Sequence, residues 1–188
     1  MVTSNTVTIT VEAPFSATMS SSTYTDIQVP AFSGVGATPN GTVTWVLQTT
    51  VGGVQQTILS GSVTAGSTGN FSGNIGQSVG PQSYTLTATD KATGATSTAS
   101  FNVTYSSIKA IGLTASATNV PVGGSVTFTG AVQDQAGYPV PAVTVYLFIN
   151  GSQVSSGQTG STGDFTFAVT FNTSGSYNCD VASTTTNT

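Results

Sequence analysis

The stretch TSGSYNCDVA, residues 173–182, decides the fold because it has an earlier counterpart in the same chain, GPQSYTLTAT at 80–89. Both stretches place a tyrosine directly after a turn-forming segment, and apolar and polar residues then alternate. Such alternation is typical of a strand with one buried face. The match therefore predicts that the same kind of strand is used twice.

Three further pairs of stretches keep the same order along the chain, so the repeat is a duplication of a whole domain. Gly, Pro, Asn and Ser interrupt the apolar alternation roughly every eight to twelve residues, as in an all-β sandwich. The pairs are AGSTGNFSGNI (65–75) with TGSTGDFTFAV (159–169), GTVTWVLQT (41–49) with AVTVYLFIN (142–150), and YTDIQVPAFSG (24–34) with GGSVTFTGAVQ (123–133).

The alternation places the strands of each copy. A two-residue hairpin turn is predicted at Asn150–Gly151, since both positions of such a turn need positive φ. The first copy is predicted to have strands A to G at 15–21, 25–33, 41–49, 54–64, 70–77, 82–90 and 96–105. The second has strands A to F at 111–118, 125–133, 142–149, 152–158, 164–171 and 176–183.

The second copy resembles an immunoglobulin-like domain. In TSGSYNCDV, Tyr177 stands at the tyrosine-corner position and Cys179 two residues later. The stretch DQAGYPVPAVTVYLF (134–148) is similar to the B–C region of bacterial and archaeal Big-type domains. The resemblance implies an all-β chain with tandem immunoglobulin-like sandwiches at 14–107 and 108–188. Cys179, the only cysteine, aligns with Leu86 and is expected to be a buried, inert core residue.

The two copies differ at their ends. The first closes with TSTASFNVTY (96–105), whereas the second continues after strand F only with the polar tail STTTNT (183–188). The second domain is therefore predicted to lack its last strand and to expose an apolar slot between two unpaired strand edges.

The opening segment 1–13 offers the missing strand. Val7, Ile9 and Val11 alternate with threonines, and EAP (12–14) corresponds to the predicted linker SSIKA (106–110). We expect residues 5–11 to pair between strands A and F of the second domain of another copy. Burying the three side chains is worth roughly 5–8 kcal/mol before ordering costs.

The composition excludes several classes of function. Charged residues are 4% of the chain, Lys91 and Lys109 are its only basic side chains, and Ser and Thr number 61 of 188. Such a chain cannot neutralise a run of phosphates, which argues against nucleic acids and anionic membranes. It has no apolar run of transmembrane length. The surface fits an extracellular, acidic setting; if the protein is secreted, we expect that a signal peptide has been removed.

No catalytic constellation is visible. The chain has no histidine, which excludes the common nucleophilic triads, and its six acids are far apart in sequence. Turn roles explain Asp90, Asp134 and Asp164. No calcium loop or phosphate-binding glycine motif occurs. We therefore expect no enzyme activity, no cofactor and no metal; an isopeptide crosslink is disfavoured because Lys91 and Lys109 fall in a turn and a linker.

Five sequons make the chain a candidate glycoprotein. Two are predicted in turns and Asn102 faces outward on strand G, although ordinary turn asparagines would look the same. The candidates are Asn40, Asn70, Asn102, Asn150 and Asn172.

The whole organisation resembles the thread filament subunit of thermoacidophilic archaea and, more distantly, chaperone–usher pilins. The resemblance implies a secreted cell-surface filament of identical copies joined head to tail by donor-strand complementation, with roles in adhesion or biofilms. Two alternatives stay open. One is a fragment of a tandem-domain cell-surface adhesin or S-layer-associated protein. The other is a carbohydrate-binding appendage of a secreted hydrolase, which would need exposed coplanar aromatic side chains.

Overall fold

The structure is a computed structural model that describes residues 13–183. The predicted donor residues Val7, Ile9 and Val11 and the tail 184–188 lie outside the described residues. Every regular element between residues 13 and 183 is a β-strand, and this part of the chain has no helix that could span a membrane.

The chain forms two compact units. The first comprises Gln28–Thr104 with residues 13–24, and the second comprises Thr25–Ile27 with residues 105–183. This division differs from the predicted one, 14–107 and 108–188, by three residues at the boundary and by the short segment Thr25–Ile27.

The first unit is a sandwich of two sheets. One sheet has the order β1-β3-β6, and the other has the order β2-β8-β7-β4-β5. Val43, Trp45 and Leu47 of β4 point into the core as their alternation predicts. The strands are β1 (Ser16–Met19), β2 (Thr23–Thr25), β3 (Ala31–Val35), β4 (Thr42–Val51), β5 (Val54–Thr64), β6 (Phe71–Asn74), β7 (Ser83–Asp90) and β8 (Thr96–Thr104).

The second unit repeats this plan. One sheet has the order β10-β11-β14, with β9 also paired to β11, and the other has the order β13-β12-β15. Asn150 and Gly151, between β12 and β13, have φ of 51° and 78°, so the predicted hairpin turn is confirmed. The strands are β9 (Ile108–Ile111), β10 (Thr114–Ala115), β11 (Gly124–Asp134), β12 (Thr144–Ile149), β13 (Ser152–Gln158), β14 (Asp164–Phe171) and β15 (Cys179–Ser183).

Three strand predictions need correction. Strand B of the first unit is β3, not 25–33, because the chain turns at Asp26 and Thr23–Thr25 joins the opposite sheet as β2. The predicted linker 106–110 is partly strand, since β9 pairs with β11 and strand A is split around Gly112. Strand F of the second unit begins at Cys179, because residues 172–178 before it are irregular and form no strand.

The register of strand B also corrects the repeat alignment. Phe32 and Gly34 occupy the places that Phe128 and Gly130 occupy in the second unit, so AFSG aligns with TFTG. The sequence alignment matches Gly34 with Gln133, which is three residues after Gly130.

Candidate strand-acceptor groove

The sheet edges differ between the two units. In the first unit, β7 pairs with β4 on one side and with β8 on the other. In the second unit, β15 pairs with β12 and has no second partner strand between residues 13 and 183. The described part of the chain likewise leaves β10 at the end of its sheet. Within residues 13–183, the second unit therefore has two open edges where the first unit holds β8.

A groove of about 490 Å³ lies between these edges. Its walls include the segment after β10 and the irregular segment before β15, and its floor comes from β11 and the end of β14. Apolar residues of the floor and rim include Val120, Val126, Phe128, Phe171 and Cys179. The groove that the missing strand predicts is thus present among the described residues.

A tyrosine corner lies at the end of this groove. The hydroxyl of Tyr177 donates a hydrogen bond to the Thr173 carbonyl at 2.9 Å. Tyr84 in the first unit donates to the Gly80 carbonyl at the same distance and the same sequence separation. The role predicted for Tyr177 is confirmed, and the first unit has an equivalent corner at Tyr84.

The two corners differ in what covers them. Phe101 of β8 lies opposite Tyr84 and stacks on its ring, with centroids 5.5 Å apart. Tyr84 is buried, whereas Tyr177 is half-exposed and its ring meets Phe171 at 4.6 Å. The comparison with Phe101 indicates that an apolar side chain from one more strand would fit beside Tyr177.

Cys179 is less buried than the sequence predicts. Its counterpart Leu86 is fully buried and lies opposite Ala99 of β8, but Cys179 is half-buried and lines the groove. Burial, and secondly the nearby charge of Asp180, raise the pKa of the Cys179 thiol. The thiol is thus mostly protonated at neutral pH, which lowers its reactivity.

The five sequon asparagines are all exposed in the structure. Asn40 has φ of 56° in its turn, and Asn102 faces outward on β8. The side-chain oxygens of Asn102 and Asn150 accept hydrogen bonds from the Ser83 hydroxyl and the Asn178 amide. In both cases the engaged atom is the amide oxygen, and a glycan would attach to the nitrogen.

The structure places four of the acidic residues in two kinds of setting. Asp90 and Asp164 have the turn roles predicted. Hydrogen bonds from the Thr38 hydroxyl to Asp90 and from the Thr162 hydroxyl to Asp164 are the largest causes that lower the pKa values of these carboxyl groups. Asp26 and Asp134, which are 108 positions apart in the sequence, lie together in the second unit. Sequence spacing could not reveal this pair, because tertiary packing brings its members together. Both side chains are buried, so a substrate cannot reach them.

The described residues contain no group of three or more His, Cys, Asp or Glu side chains able to hold a metal. Of the aromatics named in the sequence, Trp45, Phe128, Phe165 and Phe167 are buried, and Tyr146 is half-exposed. These positions do not form the coplanar exposed platform that the carbohydrate-binding alternative needs.

Comparison with known proteins finds matches only among solved structures, by similarity of fold. No family model matches the chain, and no curated protein matches it. The Escherichia coli adhesin FdeC superposes with a TM-score of 0.58 at 13% identity, over 93% of this chain and 61% of that one. This likeness confirms the all-β, immunoglobulin-like fold class.

Two other adhesins are similar at lower TM-scores. A tetra-tandem repeat from the extending region of a large adhesion protein has 16% identity and a TM-score of 0.45, covering 93% of this chain and 49% of that one. The Yersinia pseudotuberculosis adhesin InvE has 10% identity and a TM-score of 0.40, with 90% and 57% covered. The chain therefore spans about half to three fifths of these solved chains.

Proposed function

We propose that this chain is a non-catalytic structural subunit of an extracellular, cell-surface filament. Residues 5–11 of one copy fill the groove of the second unit of the next copy. The observation that carries the proposal is the groove itself, which lies between open edges at β10 and β15, where the first unit holds β8.

The chemistry of the donor segment matches what β8 supplies in the first unit. Phe101 and Val103 of β8 are 2% and 5% exposed and belong to the core. Val7, Ile9 and Val11 have the same two-residue spacing. An added strand would gain main-chain hydrogen bonds from the open edges, and its alternate side chains would fill the groove. A one-residue slip would bury threonines instead, so the alternation also sets the register.

The arrangement joins copies in an open chain rather than in a closed pair. The donor segment and the groove are different surfaces, so each copy can give one strand and receive another. A heterologous contact of this kind continues indefinitely when it does not close into a ring. The charge-poor surface and the exposed sequon asparagines fit a glycosylated, extracellular polymer.

A second candidate function is a segment of a tandem-domain cell-surface adhesin or S-layer-associated protein. The likeness to FdeC, which is an adhesin, supports it more directly than it supports a filament subunit. In this case the groove would be filled by another part of the same longer polypeptide. Both candidates place the chain at the cell surface and give it no catalytic role.

Assembly of single-site variants tests the filament proposal. Ile9→Asp in the full chain should abolish fibres seen by electron microscopy, because a carboxylate would enter the apolar groove. Thr8→Asp is the matched control: it adds the same charge one residue away, on the opposite face of the strand, and should still assemble. Fibres from Ile9→Asp, or loss of fibres in both variants, would contradict the proposed register.

A peptide added in trans tests the groove directly. A chain lacking residues 1–12 should stay monomeric, and the peptide SNTVTITVE should raise its melting temperature. The same peptide carrying Ile9→Asp should have no effect. If the full chain is monomeric and the peptide leaves melting unchanged, the adhesin-segment candidate is favoured over the filament.

A further inference from the structure

Two buried carboxyl groups lie together in the second unit. Asp26, in the turn after β2, is 1% exposed, and Asp134, the last residue of β11, is 0% exposed. Acidic side chains are almost never fully buried unless they are paired. The burial of these two carboxyl groups therefore requires a compensating interaction.

Half of each carboxyl group has a donor. One oxygen of Asp26 accepts the Ser106 amide at 3.0 Å, and one oxygen of Asp134 accepts the Tyr138 amide at 2.9 Å. The other oxygen of each group, Oδ2, is buried and receives no hydrogen bond. Two ionised carboxylates can only accept, so neither can satisfy the other.

The described residues around the pair offer no positive charge. The groups around the pair are the phenol of Tyr105 and the side chain of Ser106. The Ser106 hydroxyl oxygen accepts the Gln135 amide, and a hydrogen bond from the Ser106 side chain to Asp26 opposes the rise in the pKa of Asp26 without cancelling it. Burial first, and then the charges of Asp134 and Asp26, raise the pKa of Tyr105, so this phenol stays neutral. Lys91 and Lys109 are the only basic side chains, and both are exposed. Among residues 13–183, no positive charge contributes to the pKa of the Asp26 carboxyl.

We propose that Asp26 and Asp134 share one proton and form an acid-stabilised lock in the second unit. The proton turns one unsatisfied oxygen into a donor, so a single O–H···O bond satisfies both Oδ2 atoms. It also removes one of two like charges held in a low-dielectric setting, as in known carboxyl dyads. When the proton leaves, two buried negative charges face each other without compensation.

The direction of the pH effect follows from the pKa of Asp26. The pKa of Asp26 rises from 3.8 to about 6, first because the carboxyl group is buried and second because of its hydrogen bond to Asp134. A raised pKa means that the folded state binds the proton more tightly than the unfolded state. The stabilisation is fully present below about pH 4 and is lost as the pH rises through about 6. The unfolding equilibrium should change between about 10-fold and 100-fold across that window.

Unfolding of the full chain between about pH 3 and pH 8 tests the lock. The wild-type second unit should lose stability from about pH 4 to pH 6. Asp26→Asn should flatten that slope, because its amide can donate to Asp134 at every pH while its oxygen still accepts the Ser106 amide. Asp180→Asn, which removes an exposed carboxyl group of the same unit, should leave the slope unchanged. An unaltered slope in Asp26→Asn would overturn the proposal.

A direct titration does not depend on the variants folding. In the chain labelled with ¹³C at aspartate carboxyl carbons, one Asp signal should titrate with a midpoint near 6. If all aspartates titrate at or below about pH 4, the proton is not shared.

A calcium control tests a different explanation. If millimolar CaCl₂ stabilises the wild type at neutral pH but not Asp26→Asn, a bound cation rather than a shared proton compensates the two charges, and the proposal is overturned.

Discussion

Gly130 lies directly opposite Phe165 in the antiparallel pair of β11 and β14, and the phenylalanine ring fills the space that a side chain at position 130 would need. A Cβ at Gly130 would lie 2.4 Å from the ring and 1.9 Å from the Gly112 carbonyl oxygen. Gly34 and Phe71 are in the same relationship in the first unit. A glycine facing a phenylalanine is thus a structural mark of the duplication.

Gly130→Ala should destabilise the second unit by about 3 kcal/mol, since neither the ring nor the backbone oxygen can give way cheaply. Chemical denaturation measures the change. Gly112→Ala is the control, because a Cβ there meets its nearest atoms only at 3.9 Å. Equal stability of the two variants would show that the close approach at Gly130 is not a packing constraint.

Asp90→Asn should destabilise the first unit at neutral pH and have little effect in strong acid. Oδ2 of Asp90 accepts three donors, the amide and hydroxyl of Thr38 and the hydroxyl of Thr93, and an amide nitrogen there would face them all. The pKa of Asp90 is lowered, first by the Thr38 hydroxyl. Its stabilisation is therefore present above about pH 4 and fades as the pH falls through the lowered pKa.

Melting curves of Asp90→Asn and wild type across the acid range measure this difference. Asp180→Asn, an exposed carboxyl change, is the reference for the general effect of removing one charge. A difference between Asp90→Asn and wild type that grows as the pH falls would reverse the predicted sign.

Cys179 should report occupancy of the groove. It lines the groove and is half-buried, so a thiol reagent should label it slowly in the folded chain lacking residues 1–12. Adding SNTVTITVE should slow labelling further, because the added strand would cover the position that β8 covers at Leu86. Time-resolved mass spectrometry measures the rates. Labelling that the peptide does not change would argue against binding beside β15.

Native material should carry sugar at most of Asn40, Asn70, Asn102, Asn150 and Asn172. All five side chains are exposed, and the surface has few charges to keep copies apart. Peptide mass spectrometry would locate the sugars. A native mass equal to that of the bare polypeptide would refute this prediction.

The sequence predicts strands well where alternation and turn chemistry agree. The ranges 54–64, 152–158 and 164–171 coincide with β5, β13 and β14. It fails at 25–33, because Asp26 is buried through a partner 108 positions away rather than exposed at a strand end. A buried acid breaks the rule that polar residues face water, and only tertiary contacts reveal it.

The candidate site divides in the same way. The repeat predicts the tyrosine corner at Tyr177, and it predicts that β15 has no second partner strand, which holds among the described residues. The half-burial of Cys179 could not be predicted from the repeat, since the alignment with Leu86 assumes the same neighbours in both units. The equivalence of Gly34 and Gly130 also could not be predicted from the sequence, because the close approach of each glycine to Phe71 or Phe165 leaves no pattern in the apolar alternation.

The scarcity of basic residues has a consequence for digestion. A trypsin-like protease cuts after lysine or arginine, so this sequence offers it two bonds, after Lys91 and after Lys109. Lys109 lies within β9, at the irregular position of its antiparallel pairing with β11. Lys91 lies in the turn between β7 and β8, and its amide is bonded to the Thr42 carbonyl. A cell surface built from such chains would resist enzymes that depend on positive charge to find their cleavage sites.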